Sequence, residues 1–361
     1  MNIEKIKNKI IHGNSLDILK KIPENSVDLI FVDPPYNLQL SKTLLRPDQT
    51  KVDGVRENWD NFDSFEHYDN FTFSWLKSCR KILKSNGSMW IIGSYHNIFR
   101  IGFMLQNLGF WILNDVVWIK SNPMPNFRGK RFTNAHETII WVSKNKNSKY
   151  KFNYESMKSL NGDLQMRSDW NLPICNGKER LKDEDGVKIH PTQKPESLIS
   201  RILLASTNVN DTILDPFFGT GTTGAVAKKL NRNFIGIEQD LNYVSSAQDR
   251  INNTQKIEHV ELIQMPPKEK VKRIPFGSLI EKGLIIPGEI LTDLRKRWTA
   301  KVRADGSLIS RDNKGSIHSV GAALQGLPAC NGWTFWHINR SGQLIPIDNL
   351  RNTIKLSVQT L

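Results

Sequence analysis

The run Val27 to Val32 (VDLIFV) constrains this chain most. It is nearly continuous in apolar, largely β-branched or aromatic residues, as expected of a strand buried on both faces within a parallel sheet. It stops abruptly at Asp33-Pro34-Pro35-Tyr36. A second apolar run, Met89 to Ile92, follows a helix expected from Tyr68 to Lys84 and closed by Asn86-Gly87, which makes one βαβ unit. Further strands are expected at Ile112 to Trp118, Thr138 to Val142, Thr212 to Leu214 and Phe234 to Ile237. Helices are expected at Ile98 to Leu108, Glu196 to Ala205 and Thr223 to Lys229. This alternation implies an α/β sheet. Between Asn145 and Ile189 the pattern dissolves into a polar stretch too long for an ordinary connection, which reads as an insertion with a task.

After about Ile251 the composition changes. Gln264 to Arg273 (QMPPKEKVKR) joins two prolines to a basic run and reads as a linker, so the first domain is expected over 1–260, the linker over 261–273 and a second domain over 274–361. In that second part, Asp305-Gly306, Asn331-Gly332 and Ser341-Gly342 separate short stretches such as Trp298 to Val302 and Thr334 to Ile338, expected to be small antiparallel strands. The whole chain of 361 residues carries 50 Lys and Arg against 36 Asp and Glu, a formal charge of +14 suited to a polyanionic partner. From Lys268 onward 15 basic residues face 7 acidic ones, so the positive charge is concentrated there. No apolar run is long enough for a membrane span and no signal peptide is evident, so a cytoplasmic location is expected. Cys79, Cys175 and Cys330 are far apart and suit neither a disulfide framework nor a CxxC zinc site. His12, His96, His136 and His190 have no partner at metal-ligand spacing, and no metal is expected.

Candidate chemistry begins at Asp33-Pro34-Pro35-Tyr36, just past a strand's carboxyl end, where open α/β sheets bind ligands. The exocyclic amine of adenine is a poor nucleophile because its lone pair is delocalised into the ring. The Asp33 carboxylate and the Pro34 carbonyl can each accept one of its two N–H bonds and so turn the lone pair outward, while Tyr36 stacks on the base. With Pro35, these residues form the candidate catalytic group. A plain proline turn ending a strand is the simpler alternative.

The second centre runs from Asp215 through Pro216, Phe217, Phe218, Gly219, Thr220, Gly221, Thr222 and Thr223 to Gly224, between an expected strand and an expected helix. Its glycines spell GxGxxG, and Glu238 follows 17 residues after Gly221, near the spacing at which an acid takes ribose hydroxyls. A nicotinamide dinucleotide and another adenosine-bearing cofactor are equally served by Glu238. Position in the chain separates them. A dehydrogenase fingerprint normally opens its domain, whereas here the other strands must come from earlier sequence. The sheet therefore reads as circularly permuted, with the catalytic half first.

These residues carry a resemblance. The chain resembles the β-class amino-methyltransferases, in which DPPY precedes FxGxG (here Phe217-Phe218-Gly219-Thr220-Gly221). It is similar in particular to the cell-cycle-regulated adenine methyltransferases of alphaproteobacteria and to restriction-associated methyltransferases recognising GANTC. The likeness runs from Gly13-Asn14-Ser15-Leu16-Asp17 through DPPYNLQL and SYHNIFR to a C-terminal domain of the kind appended to such methylases. It implies a circularly permuted Rossmann-like methyltransferase sheet with a small C-terminal α+β DNA-binding domain. It also implies S-adenosylmethionine as cofactor, adenine N6 in GANTC as target, and a homodimer. Carried over by position, Asp17, Asp33, Asp215, Phe217, Phe218, Gly219, Thr220, Gly221, Thr222, Thr223, Glu238 and Gln239 belong to the cofactor pocket. Thr192, Gln193 and Lys194, from His190-Pro191-Thr192-Gln193-Lys194-Pro195, resemble the family's other cofactor motif. Geometry alone also admits N4-cytosine or an RNA adenine, and the dinucleotide enzyme and a catalytically silent DNA-binding regulator stay open beside it.

A paired adenine must leave the helix to reach such a site, so double-stranded DNA implies base flipping. In the loop after DPPY, Leu38, Leu44, Arg46 and Trp59 can fill the vacated space, or simply pack the loop. Phe127, Arg128, Lys130 and Arg131 lie on a proline- and glycine-shaped stretch suited to phosphate or base-edge contacts, within a target-recognition insertion expected over about 121–189. In the C-terminal part Arg297, Trp298, Asn331, Trp333 and Arg351 interleave aromatics with cations, as suits backbone neutralisation and stacking, although tryptophans also build small cores. Cell-cycle control of replication, restriction protection and epigenetic regulation would all use the same residues.

Overall fold

The computed structural model describes residues 1–38, 60–126, 130–264 and 274–359, which fall into two compact units, Met1–Lys268 and Glu269–Leu361. Leu44, Arg46, Trp59, Phe127 and Arg128 lie outside the described residues.

The first unit is built on β1 (Lys9–His12), β2 (Val27–Val32), β3 (Leu83–Gly93), β4 (Trp111–Lys120), β5 (His136–Ser143), β6 (Asp169–Leu172), β7 (Thr212–Asp215) and β8 (Asn233–Glu238). They form one sheet in the order β1-β8-β7-β2-β3-β5-β4-β6, in which β5 alone runs antiparallel to its neighbours. Helices α1 (Ile3–Ile6), α2 (Ser15–Leu19), α3 (Phe65–Ile82), α4 (Ile98–Asn107), α5 (Tyr154–Ser159), α6 (Glu196–Ser206), α7 (Thr222–Lys229) and α8 (Leu241–Asn253) complete the unit.

Every position of β2 is buried, because its two faces meet different cores. Val27, Ile30 and Val32 share one with Trp75, Leu76 and Cys79 of α3, while Leu29 and Phe31 share the other with Leu198, Ile199 and Ile202 of α6. The one charge in the strand, Asp28, is held by Lys84 at 2.8 Å and by the Thr212 amide at 3.1 Å. The chain enters α3 and β3 on one side of β2, whereas β7 continues through α7 into β8 on the other. A crevice at the carboxyl ends of β2 and β7 is the topological consequence. This is the permuted Rossmann-like arrangement.

Helix α3 starts three residues before the expected Tyr68, because Ser64 caps the His67 amide at 3.0 Å. It ends at Ile82 rather than Lys84, and Asn86-Gly87 lie in the irregular start of β3 instead of closing the helix. A Cβ on Gly87 would meet the Asp28 carbonyl at 2.8 Å, so close strand approach, and not a helix cap, asks for glycine there. The stretch 121–189 is not a single insertion. It supplies β5 inside the sheet and β6 at its edge, with α5 tied to the end of α6 through the Asn153 amide, 2.8 Å from the Leu204 carbonyl. The first unit also extends past 260, since Ile263 is buried in its core. Among the described residues no helix is long and apolar enough to cross a membrane.

The second unit contains α9 (Gly277–Glu281), β9 (Ile290–Thr292), β10 (Thr299–Val302), β11 (Leu308–Ser310), β12 (Asn313–Gly315), α10 (Ile317–Gln325), α11 (Gly332–Phe335), β13 (His337–Arg340), β14 (Gln343–Pro346) and α12 (Ile347–Gln359). Its sheet is antiparallel, in the order β12-β11-β10-β9-β13-β14. Ser341 and Gly342, both at positive φ, make the two-residue hairpin turn between β13 and β14. Asn331-Gly332 is not a hairpin turn. The Asn331 side chain accepts the Trp333 amide and caps α11, so Thr334 and Phe335 are helical and the strand begins at His337.

Candidate functional site

A cleft of about 540 Å³ opens at the carboxyl ends of β2 and β7, a size usual for cofactor sites. Asp33, Pro34, Pro35, Tyr36 and Leu38 line it from β2, and Asp215, Phe217, Phe218, Gly219, Thr220, Thr222 and Thr223 from β7 and α7. Thr192, Gln193, Lys194, Glu238 and Gln239 complete the set that the sequence brought forward.

The loop after β2 is held from outside. Asp60 accepts the Tyr36, Asn37 and Leu38 amides at 2.6, 2.8 and 3.0 Å, which fixes Asn37 at φ +54, and the Tyr68 hydroxyl donates to the Pro35 carbonyl at 2.9 Å. Among the described residues none donates to the Pro34 carbonyl. Asp33 carries the Lys194 ammonium at 2.9 Å. Burial pushes its carboxyl above the usual range, and Lys194 pulls it back only in part.

On the β7 side, Asp215 accepts the Thr223 hydroxyl at 2.6 Å and the Phe217 amide at 3.1 Å, and burial raises it well above the ordinary carboxylate range. Glu238 accepts the Gly219, Gln239 and Asp240 amides at 2.7, 2.8 and 2.9 Å, and burial raises it as well. Gly221 does not line the cleft. It sits at φ +76 ahead of α7, where a Cβ would lie 2.7 Å from Ala247 Cβ, so its glycine serves helix packing. The 190–194 segment is clamped by Arg180, whose guanidinium donates to the His190 and Pro191 carbonyls at 3.2 Å each. Gln193 turns partly away and bonds the Leu181 amide and the Glu179 carbonyl. His190 packs tilted against Tyr243, ring centres 4.8 Å apart, and burial, with Lys194 and Arg180, lowers its pKa to about 4, so it is neutral near pH 7.

Asp17 corrects the expectation. It lies on the exposed side of α2 beside Lys20 at 3.7 Å, and Asn14 and Ser15, at the start of that helix, line the cleft in its place. Sequence reasoning also missed Glu137, which accepts the Tyr36 hydroxyl at 3.0 Å and Lys120 at 2.7 Å. A single acid within a mostly apolar strand was the signal available for it.

Of the remaining candidates in the first unit, Lys130 and Arg131 do not line the cleft. Both are exposed, and Arg131 donates to the Tyr95 hydroxyl at 3.2 Å. In the second unit Arg297 is exposed and lies over Trp298 at 4.1 Å. Asn331, Trp333 and Arg351 are engaged internally instead. Asn331 caps α11, Trp333 is core, and Arg351 covers the Trp333 ring at 4.4 Å while pairing with Asp348.

The donor set fits S-adenosylmethionine. Glu238 offers a carboxylate for a ribose diol, Asp215 and Asp33 offer carboxyl oxygens as hydrogen-bond acceptors, and Phe217, Phe218 and Ile237 give apolar wall. Residues 27–249 match the DNA methylase family of N6/N4 methyltransferases, and residues 260–359 match the Restriction Enzyme Adenine Methylase Associated family. Type II methyltransferase M.HinfI of Haemophilus influenzae is 48% identical over 354 residues, covering 97% of each chain. Type II methyltransferase M2.LlaDCHI of Lactococcus lactis subsp. cremoris is 44% identical over 244 residues, 67% of this chain and 88% of that protein. Among solved structures, the M1.HpyAVI–SAM complex aligns with a TM-score of 0.50 at 31% identity, covering 68% of this chain and 98% of that one. The PvuII cytosine-N4-specific DNA methyltransferase aligns with a TM-score of 0.53 at 23% identity over 68% and 88% of the two chains, and shares the fold. The cofactor is thus S-adenosylmethionine and not a nicotinamide dinucleotide, and the chain belongs to the DNA methylase family, as an S-adenosylmethionine-dependent DNA methyltransferase.

Proposed function

We propose that this enzyme methylates adenine at N6 in duplex DNA, with GANTC as the site and the target base flipped into the cleft. The observation that carries the reading is the pairing of two acceptors at the end of β2, the Asp33 carboxylate and the Pro34 carbonyl, within one cleft with Glu238. Bound S-adenosylmethionine supplies an electrophilic methyl group and a neutral thioether leaving group. Asp33 and Pro34 each accept one N–H of the amine and direct its lone pair outward. Tyr36, tethered through its hydroxyl to Glu137, presents its ring to the base. Glu238 holds ribose hydroxyls, while Asp215 at the end of β7 and Thr192 to Lys194 complete the cofactor wall.

Adenine is favoured over cytosine by the second matching family, whose description names an adenine methylase, and by the first residue of the DPPY motif. GANTC rests on the resemblance read in the sequence. Exposed Lys130, Arg131 and Arg297 supply phosphate or base-edge contacts. The Type II relatives favour a modification enzyme of a restriction system over a cell-cycle regulator. A second copy of the chain is the expected partner, seated on the exposed aromatic face of α3 and α4 formed by Phe73, Phe99 and Phe103. The deciding experiment is transfer of labelled methyl to duplexes bearing GANTC or GTNTC, with Asp33→Ala alongside and the product base identified by mass spectrometry. N6-methyladenine in GANTC alone, lost in the variant, is the expected result.

A further inference from the structure

Behind the cleft, four charged side chains form one chain of contacts. Lys194 lies 2.9 Å from Asp33 Oδ2 and 3.9 Å from Glu137 Oε2, and Lys120 lies 2.7 Å from Glu137 Oε1. The Tyr36 hydroxyl donates to Glu137 Oε2, and the Lys194 ammonium sits 5.2 Å from the Tyr36 ring centre. Lys194, Glu137 and Asp33 are only 8%, 12% and 19% exposed, so each charge is tied to its neighbours.

This arrangement conflicts with the task assigned to Asp33. Its carboxylate is to accept an N–H of the target amine, and the nitrogen gains positive charge as it takes the methyl group. An ammonium resting on Asp33 Oδ2 takes one of the carboxylate's acceptor sites and, above all, opposes that charge. Lys194 is buried, and losing its carboxylate without a replacement is strongly penalised. Glu137 is the replacement within reach. Its Oε2 carries the Tyr36 hydroxyl and, with two lone pairs per carboxylate oxygen, has room for another donor. A shift of the ammonium by about 1 Å turns the 3.9 Å approach into a charge-assisted hydrogen bond.

We propose that Glu137 is a positioning residue that receives the Lys194 ammonium as the target amine takes over Asp33, so that two carboxylates hold one cation in alternate positions. The inference rests on the adenine-methylation reading. The groups facing Lys194 are Asp33, Glu137, Tyr36, Arg180 and His190. Burial lowers its pKa, but Asp33 and Glu137 together raise it above the ordinary value, against a small opposing effect of Arg180. Glu137 itself is held below the usual range: burial raises it, and Lys194, Lys120 and the Tyr36 hydroxyl outweigh that.

The test uses Glu137→Gln, which keeps the size and the acceptor for Tyr36 but removes the charge. Its kcat is expected to fall about 10- to 100-fold, with KM for S-adenosylmethionine changed by less than about threefold. Without the Glu137 charge, Lys194 releases its proton at lower pH, so the variant's kcat recovers towards alkaline pH while the wild type's does not. Glu137→Asp restores part of the loss. In a Lys194→Met background, adding Glu137→Gln costs less than about threefold more, because no cation remains to be placed. An equal cost with and without Lys194, or a wild-type pH profile in Glu137→Gln, overturns the proposal. Should Lys194→Met not fold, the pH profile of Glu137→Gln decides alone. Wild-type enzyme that methylates no DNA overturns the functional reading and this inference with it. Active wild type, dead Asp33→Ala and unaffected Glu137→Gln overturn the inference alone.

Discussion

Asp60 Oδ1 accepts the Tyr36 backbone amide at 2.6 Å. The same carboxylate accepts the next two amides, so a residue 24 positions later sets the conformation of the motif that carries Asp33. Asp60→Ala leaves three amides without that acceptor, each costing about 1–3 kcal/mol where it stays buried. The expected result is a lower melting temperature and a fall in kcat of about 100-fold from misplacement alone. Asp60→Asn, with one acceptor oxygen left, falls between. Thermal unfolding and methyl-transfer kinetics on the two variants check this, and an alanine variant with normal kcat would sink the positioning role.

His190 gives a pH dependence with a definite sign. Its folded pKa is about 4, lowered by burial first and then by Lys194 and Arg180, against 6.5 for an ordinary imidazole. A group depressed on folding contributes stability that is fully present above pH 6.5 and is lost as pH falls towards 4. A difference of that size is on the order of 3 kcal/mol at most. Denaturant unfolding followed from pH 7 to pH 4 should show this loss, and His190→Gln should flatten that limb. An unchanged slope in the variant would assign the acid sensitivity to the carboxylates instead.

What was legible in the sequence follows from how far each signal reaches along the chain. Val27–Val32 and Thr212–Asp215 are fully buried strands, and the nearly continuous apolar run of the first announces it without help from elsewhere, while Ile213-Leu214 is read from its place before the glycine loop. The ends of those two strands carry the residues of the cleft, so most of it could be read. Lys9–His12 was missed because it is a four-residue edge strand with only partial burial, and Asp169–Leu172 because its pairing with Val117–Lys120 is a tertiary fact. Asp17 follows Ser15 by two positions, about half a helical turn, which puts it on the opposite face of a five-residue helix. Glu137 gains its meaning only from Tyr36, Lys120 and Lys194, three residues on other segments.

The aromatic face of α3 and α4 predicts the oligomeric state. Phe99 and Phe103 are 77% and 65% exposed, beside the Arg100–Asp69 ion pair at 2.6 Å. A face holding both an acid and a base between aromatics is complementary to itself about a two-fold axis. Phe99→Asp with Phe103→Asp should convert a dimer to a monomer in light scattering. The cofactor affinity should stay unchanged, because neither residue lines the cleft. A wild-type monomer at micromolar concentration would refute the expectation.

In the second unit, two neighbouring kinds of residue should separate under mutation. Trp333 lies in the core with Phe276 and Ile317 and is covered by Arg351, so Trp333→Ala should destabilise that unit by about 3–5 kcal/mol. Arg297 is exposed on the loop that Asp293 organises by accepting the Arg297 and Trp298 amides at 2.6 and 2.8 Å. Burial raises the Asp293 carboxyl, but those amides, the Arg295 amide and the Arg297 guanidinium outweigh it and hold the carboxyl below the usual range. Arg297→Ala should shift the melting temperature by no more than about 4 °C, since exposed changes of this kind stay within about 0.5 kcal/mol. It should weaken duplex binding and reduce the salt dependence of affinity by about one phosphate contact. Equilibrium binding at several salt concentrations, beside thermal unfolding, distinguishes the two. If Arg297→Ala binds DNA as the wild type does at every salt concentration, its cation has no part in holding the duplex.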